Sequence, residues 1–88
     1  MNYEVRFVPS AWKAFKSLPR EIQGRMDYRI LSLMSNPRPT GCKPLIGAKD
    51  RFRIRIGDYR VIYQVSDQDL LVLVLRIAHR KDAYRKGF

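Results

Sequence analysis

The fifteen residues from Arg51 to Val65 constrain this chain more than any other stretch. They read Arg-Phe-Arg-Ile-Arg-Ile, then Gly57-Asp58, then Tyr-Arg-Val-Ile-Tyr-Gln-Val. Gly-Asp between two strand-forming runs is a two-residue hairpin loop, most simply a type II′ turn with glycine first. A loop that short fixes the pairing: residue 56 lies opposite 59, 55 opposite 60, 54 opposite 61, 53 opposite 62 and 52 opposite 63. Side chains alternate between the two faces of a sheet. One face therefore carries Phe52, Ile54, Ile56, Tyr59, Val61, Tyr63 and Val65, an apolar surface for other elements to cover. The other carries Arg51, Arg53, Arg55, Arg60, Ile62 and Gln64.

That second face is unusual as a solution to folding alone. Arg55 and Arg60 stand directly opposite each other, with Arg53 two residues along. Opposed like charges on a sheet cost a few tenths to about 1 kcal/mol per pair. A basic hairpin edge that blocks aggregation is one explanation. The other is phosphate binding, because the planar guanidinium makes two parallel bonds to a phosphate. The whole chain leans the same way. Lys and Arg total 18 and Asp and Glu total 8, a net charge of +10, which suits a polyanionic partner.

The run Leu70 to Ala78 predicts a third strand, reached through a Ser66–Asp69 turn that leaves its register open. Placing Val61 opposite Leu75 sets Arg76 beside Arg60 and sends Leu71, Leu73 and Leu75 into the core. A shift by one buries Arg76, which is expensive. Arg80 shares the parity of Arg76 and extends the basic face.

The rest of the chain supplies a cover for the apolar face. Tyr3, Val5 and Phe7 alternate with charged residues, so residues 2–8 predict a first strand. Ser10 is the expected N-cap of a short helix that carries Ala11, Ala14, Phe15 and Leu18 on one side. Pro19 suits the first turn of a second helix, with Glu21 near its positive end. Ile22, Met26, Ile30 and Leu33 recur at helical spacing, Leu31 and Met34 widen the stripe, and Asn36-Pro37 ends it. Residues 36–50 are a Pro- and Gly-rich connection with a short extended piece at Lys43-Pro44-Leu45. Trp12, Phe15, Met26 and Tyr63 are expected in the core. The order predicts an α+β fold: an N-terminal strand, a helical hairpin, then a mainly antiparallel sheet with the helices on one face. At 88 residues it is a single domain, spanning 1–88.

One cysteine, Cys42, allows no internal disulfide and fits a reduced, cytoplasmic compartment. One cysteine and one histidine cannot build a four-ligand zinc site, so no metal or other cofactor is expected. The first ten residues have no basic segment followed by an apolar one, and the longest apolar run, Leu70 to Leu75, is too short for a bilayer. Neither a signal peptide nor a membrane partner is expected.

The stretch KPLIGAKDRFRIRIGDYRVIYQV, followed by VLRIAHRKDAY, resembles the RelE/ParE superfamily of bacterial toxins, and most closely its RelE-type branch. The resemblance covers most of the chain, and the Arg-x-Arg-x-Gly-Asp-Tyr-Arg and His-Arg-x-x-x-Tyr motifs carry it. It implies a toxin of a type II toxin–antitoxin pair, an endoribonuclease that enters the ribosomal A site and cuts mRNA there. The 2′-hydroxyl attacks the adjacent phosphate without metal, and a cognate acidic antitoxin wraps the toxin. Two other activities are consistent with the same fold: ParE-like inhibition of DNA gyrase, or non-catalytic binding of nucleic acid or antitoxin.

Carried over by position, Arg60 matches the family arginine after the turn, Arg80 the arginine of the closing motif, and Tyr84 the tyrosine near the C-terminus. Arg53 and Arg55 stand where relatives often have lysine. Arginine is never deprotonated at working pH, so neither is a base. Arg60 and Arg80 are then the charge stabilisers. His79 is the candidate base, since a neutral imidazole accepts a proton near neutrality. It reaches the arginines only if the chain turns before it. Tyr84 is expected to stack on a base, to donate a proton, or simply to pack as an amphipathic aromatic against the sheet. Lys49, Arg51, Lys81, Arg85 and Lys86 are expected to hold the RNA backbone, and Cys42 is expected to be non-catalytic.

Overall fold

The computed structural model describes residues 2–80. Its elements run β1 (Glu4–Phe7), α1 (Pro9–Lys16), α2 (Arg20–Ser32), β2 (Lys43–Pro44), β3 (Arg51–Ile56), β4 (Tyr59–Ser66) and β5 (Leu71–His79). The strands form one sheet in the order β1-β5-β4-β3-β2. All neighbours are antiparallel except β1 and β5, which run parallel. The two helices cover one face, as the α+β pattern predicts.

The β3–β4 hairpin has the pairing expected from its loop, from Ile56 opposite Tyr59 to Arg51 opposite Gln64. Gly57 sits at φ +61, the left-handed first position that a type II′ turn demands. Ile54, Ile56, Val61, Tyr63 and Val65 are all buried. They meet Ala11 and Phe15 of α1, Met26 and Ile30 of α2, and Leu33. Tyr63 has no exposed surface, and its hydroxyl donates to the Pro37 carbonyl at 2.8 Å. Burial pushes that phenol's pKa up.

Three local expectations are corrected. Helix α1 begins at Pro9, with extended Val8 (φ −67, ψ 154) as its cap and no side-chain capping bond, so Ser10 lies inside the helix. Pro9 lacks an N–H and brings a helical φ, which makes it a better first helical residue than Ser10 is a cap. Pro19 is the N-cap of α2, one position outside the turn expected for it. Trp12 is 44% exposed, stacked on Phe15 at 5.6 Å with Lys16 above its ring. Phe15 and Met26 lie in the core as expected, whereas Leu31 is exposed and takes no part in the stripe.

The third strand is also paired differently. Val61 lies opposite Ile77, and the register shifts between Ile62, opposite Arg76, and Tyr63, opposite Val74. Leu75 is the extra residue of a β-bulge. Val72 and Val74 are therefore buried, not Leu71, Leu73 and Leu75, while Arg76 stays exposed. In a straight strand Val72, Val74 and Arg76 share one face. The bulge lets the valines enter the core without taking the guanidinium with them.

A polar clasp ties the start of β1 and the loop after α2 to the β4–β5 turn. Arg38 donates to both carboxylate oxygens of Asp67, at 3.2 and 2.9 Å, and the Tyr3 hydroxyl donates to the same group at 2.6 Å. The Arg38 bonds, reinforced by Tyr3, hold the Asp67 carboxyl below its ordinary range. Among the described residues no helix is long and apolar enough to cross a membrane.

Candidate nucleic-acid interface

Alternation along β3, β4 and β5 decides what the uncovered face of the sheet presents. Arg51, Arg53 and Arg55 project there from β3, Arg60, Ile62 and Gln64 from β4, and Leu73, Arg76 and Ala78 from β5. The chain leaves β5 at Arg80, whose N–H donates to the Asp58 carbonyl at 2.6 Å. That bond holds the start of the C-terminal segment against the hairpin tip. It closes a cleft of about 220 Å³ lined by Arg55, Gly57, Asp58, Tyr59, Arg60 and Arg80.

Three guanidinium-bearing residues thus converge from three different places in the sequence. None of Arg51, Arg53, Arg55, Arg60 and Arg80 pairs with a carboxylate among the described residues. Arg51 instead donates through Nε to the Gln64 amide oxygen at 3.2 Å. Arg60 is the least satisfied. Its Nε is buried and has no hydrogen-bond partner among the described residues, while Arg55 stands directly across the ladder. An unmet buried donor costs about 1–3 kcal/mol, so Arg60 is arranged for an acceptor rather than for stability.

A second cleft, of about 610 Å³, opens on the same face beyond Arg60. Leu45, Ile46 and Ala48 form its outer wall, Ile62 its floor, and Lys43, Arg51, Arg53 and Arg60 its cationic rim. Arg53 therefore belongs to this cleft, not to the one that holds Arg55 and Arg80. Lys49 is exposed and lines neither.

His79 is placed elsewhere. The chain does not turn before it: His79 is the last residue of β5, opposite Tyr59, and its ring meets the Tyr59 ring edge-on at 5.0 Å. It has the parity of Ile77 and the core face, and the arginines project from the other. The condition for His79 to act as base is not met in this arrangement. Cys42 is half-buried against the core and borders neither cleft. Tyr84, Lys81, Arg85 and Lys86 lie outside the described residues. Two contributors to this face were missed from sequence: Asp58, the one carboxylate bordering the arginine cleft among the described residues, and the Leu45–Ile46 wall. The signal for the wall was an apolar pair held between Pro44 and Gly47 in a polar loop.

Comparison with known proteins finds relatives of the same fold. Residues 5–84 match a family described as ParE toxin of type II toxin-antitoxin system, parDE. Toxin RelG of Mycobacterium tuberculosis is 34% identical over 98% of this chain and 100% of its own length. The mRNA interferase toxin RelE of Escherichia coli K12 is 26% identical over 92% of this chain and 86% of its own. In the crystal structure of the archaeal RelE–RelB complex from Pyrococcus horikoshii, a matched chain superposes with a TM-score of 0.81 at 33% identity. It covers 91% of this chain and 97% of that one.

Proposed function

This chain belongs to the RelE/ParE family of toxins and is a RelE-type toxin of a toxin–antitoxin system, and from that premise we propose that it is an endoribonuclease acting on mRNA in the ribosomal A site. One observation carries the proposal: Arg55, Arg60 and Arg80 border a single cleft, none of them pairs with a carboxylate among the described residues, and Arg60 Nε is buried with no acceptor among those residues. A phosphodiester is the ligand that satisfies all three.

The chemistry follows from what arginine can and cannot do. Attack of the 2′-oxygen on phosphorus expels the 5′-oxygen and leaves a 2′,3′-cyclic phosphate and a 5′-hydroxyl. Negative charge grows on the phosphoryl oxygens on the way. Preorganised donors aimed at those oxygens lower the barrier, each by about 3–4 kcal/mol. Arg60 and Arg80 take that part, with Arg55 beside them. No arginine gives up its proton, so the 2′-hydroxyl proton passes to a different acceptor. Arg51 and Arg53 grip the flanking backbone, and Lys49, Lys81, Arg85 and Lys86 add long-range attraction. Tyr84 is proposed to stack on a base or to donate the proton to the leaving oxygen. The partners are mRNA, the ribosome and an acidic cognate antitoxin that covers the basic face.

Brief induction in cells, followed by mapping of mRNA 5′ ends with and without active ribosomes, tests this. Cuts confined to translated frames are expected. Arg60→Ala and Arg80→Ala should each lower cutting by roughly 10²–10³-fold with unchanged circular dichroism. Intact mRNA together with an induced DNA-damage response would instead mean gyrase inhibition.

A further inference from the structure

We propose that the cleft between the 45–48 loop and the outer face of the sheet is a nucleobase subsite, which seats the base next to the phosphate held by Arg60. The inference rests on the nuclease proposal for the phosphate position and assigns what lies beside it. Arg60 borders both clefts, so a strand whose phosphate occupies the first must pass the mouth of the second.

The second cleft is built for a flat apolar ring near a negative backbone. Ile46 is fully exposed at 103%, an aliphatic side chain held out from the surface. The loop holding it is set in advance: Leu45 N–H donates to Arg51 O at 2.9 Å, and Gly47 (φ +79) and Asp50 (φ +62) are fixed in left-handed conformations. Across from Ile46 lies Ile62, only 7% exposed although its strand position faces away from the core. Pro44 and Leu45 complete the apolar wall. Among the described residues the rim is wholly cationic, with Lys43, Arg51, Arg53 and Arg60 and no carboxylate. Bases are held by burying their faces against apolar or guanidinium planes. A purely apolar partner helix would also want Ile46, but the rim of Lys43, Arg51, Arg53 and Arg60 favours a ligand that brings negative charge with its apolar face.

NMR on the full chain tests this, with an uncleavable 2′-O-methyl trinucleotide and its fully abasic counterpart as probes. The base-bearing probe should move the Ile46 and Ile62 methyl resonances by ring-current shifts, and the abasic one should not. Both should move Arg60 Nε–H. Ile46→Ala, at a position with no packing to lose, should weaken the base-bearing probe roughly tenfold and leave the abasic one unchanged. Methyls that stay still while Arg60 responds would overturn the subsite and leave the nuclease proposal standing. Silence at both places would remove both. Methyl shifts with an acidic helical peptide but not with the trinucleotide would make the cleft a protein-docking surface and end the proposal.

Discussion

Arg60 is where the interests of folding and of function separate. Its Nε is buried without a partner among the described residues, and its ladder neighbour is Arg55. Both features oppose stability in the free protein, by about 1–3 kcal/mol for the unmet donor and up to about 1 kcal/mol for the like pair. Arg60→Met keeps the aliphatic stem and removes both. It should raise the melting temperature by several degrees, at roughly 4–8 °C per kcal/mol, while cutting is lost. A lowered melting temperature on a thermal scan would show that the guanidinium has a structural partner after all. This tension is legible in the sequence alone, because a two-residue loop and strict alternation set Arg55 against Arg60. The Ile46 cleft is not. Its geometry depends on two left-handed residues in a loop whose path no periodicity specifies.

Among the elements, the hairpin and β5 show what local chemistry decides and what it leaves to packing. The Gly57-Asp58 loop leaves β4 no freedom, so its pairing with β3 follows directly. The Ser66–Asp69 turn leaves β5 free to slide, and neither straight register satisfies Val72, Val74 and Arg76 together. The bulge at Leu75 resolves the conflict, and only the assembled core could select it. The parallel pairing of β1 with β5 is likewise a tertiary outcome. Deleting Leu75 should then join Val74 and Arg76 in a regular ladder with every face unchanged. The deletion variant is expected to unfold cooperatively with a loss below about 3 kcal/mol in urea titration; a chain that no longer folds would mean the bulge does more than correct parity. The clasp between β1, Arg38 and the β4–β5 turn adds a pH signature. Asp67 is depressed by Arg38 and Tyr3, so its contribution is fully present above the unfolded pKa and is lost as pH falls through the lower folded value. Asp67→Asn should melt lower than wild type at neutral pH, with the gap closing in acid. A gap that does not narrow at all as the pH is taken below the ordinary carboxylate range would exclude the ionised clasp as its cause.

At the scale of the whole molecule, the net charge of +10 acts on everything at once. A protein that gathers Arg51, Arg53, Arg55, Arg60 and Arg80 on one face, none paired with a carboxylate among the described residues, repels itself, and the repulsion is felt wherever salt does not screen it. Screening length falls from about 30 Å at 0.01 M to about 8 Å at 0.15 M. The melting temperature of the free chain should therefore rise with added NaCl over that range. A polyanion that covers the basic face reverses the sign. Binding stabilises by RT ln(1 + [L]/Kd), about 2.7 kcal/mol at a hundredfold excess over Kd, and salt weakens that binding by competing for the same cations. In the presence of a short RNA or a glutamate-rich peptide, the melting temperature should start high and fall as NaCl is added. The two curves should converge at high salt. A free chain whose melting temperature ignores salt would mean that its cations are already neutralised within the molecule. An arginine face open to a polyanion, on which both the phosphate cleft and the base cleft depend, would then not exist in solution.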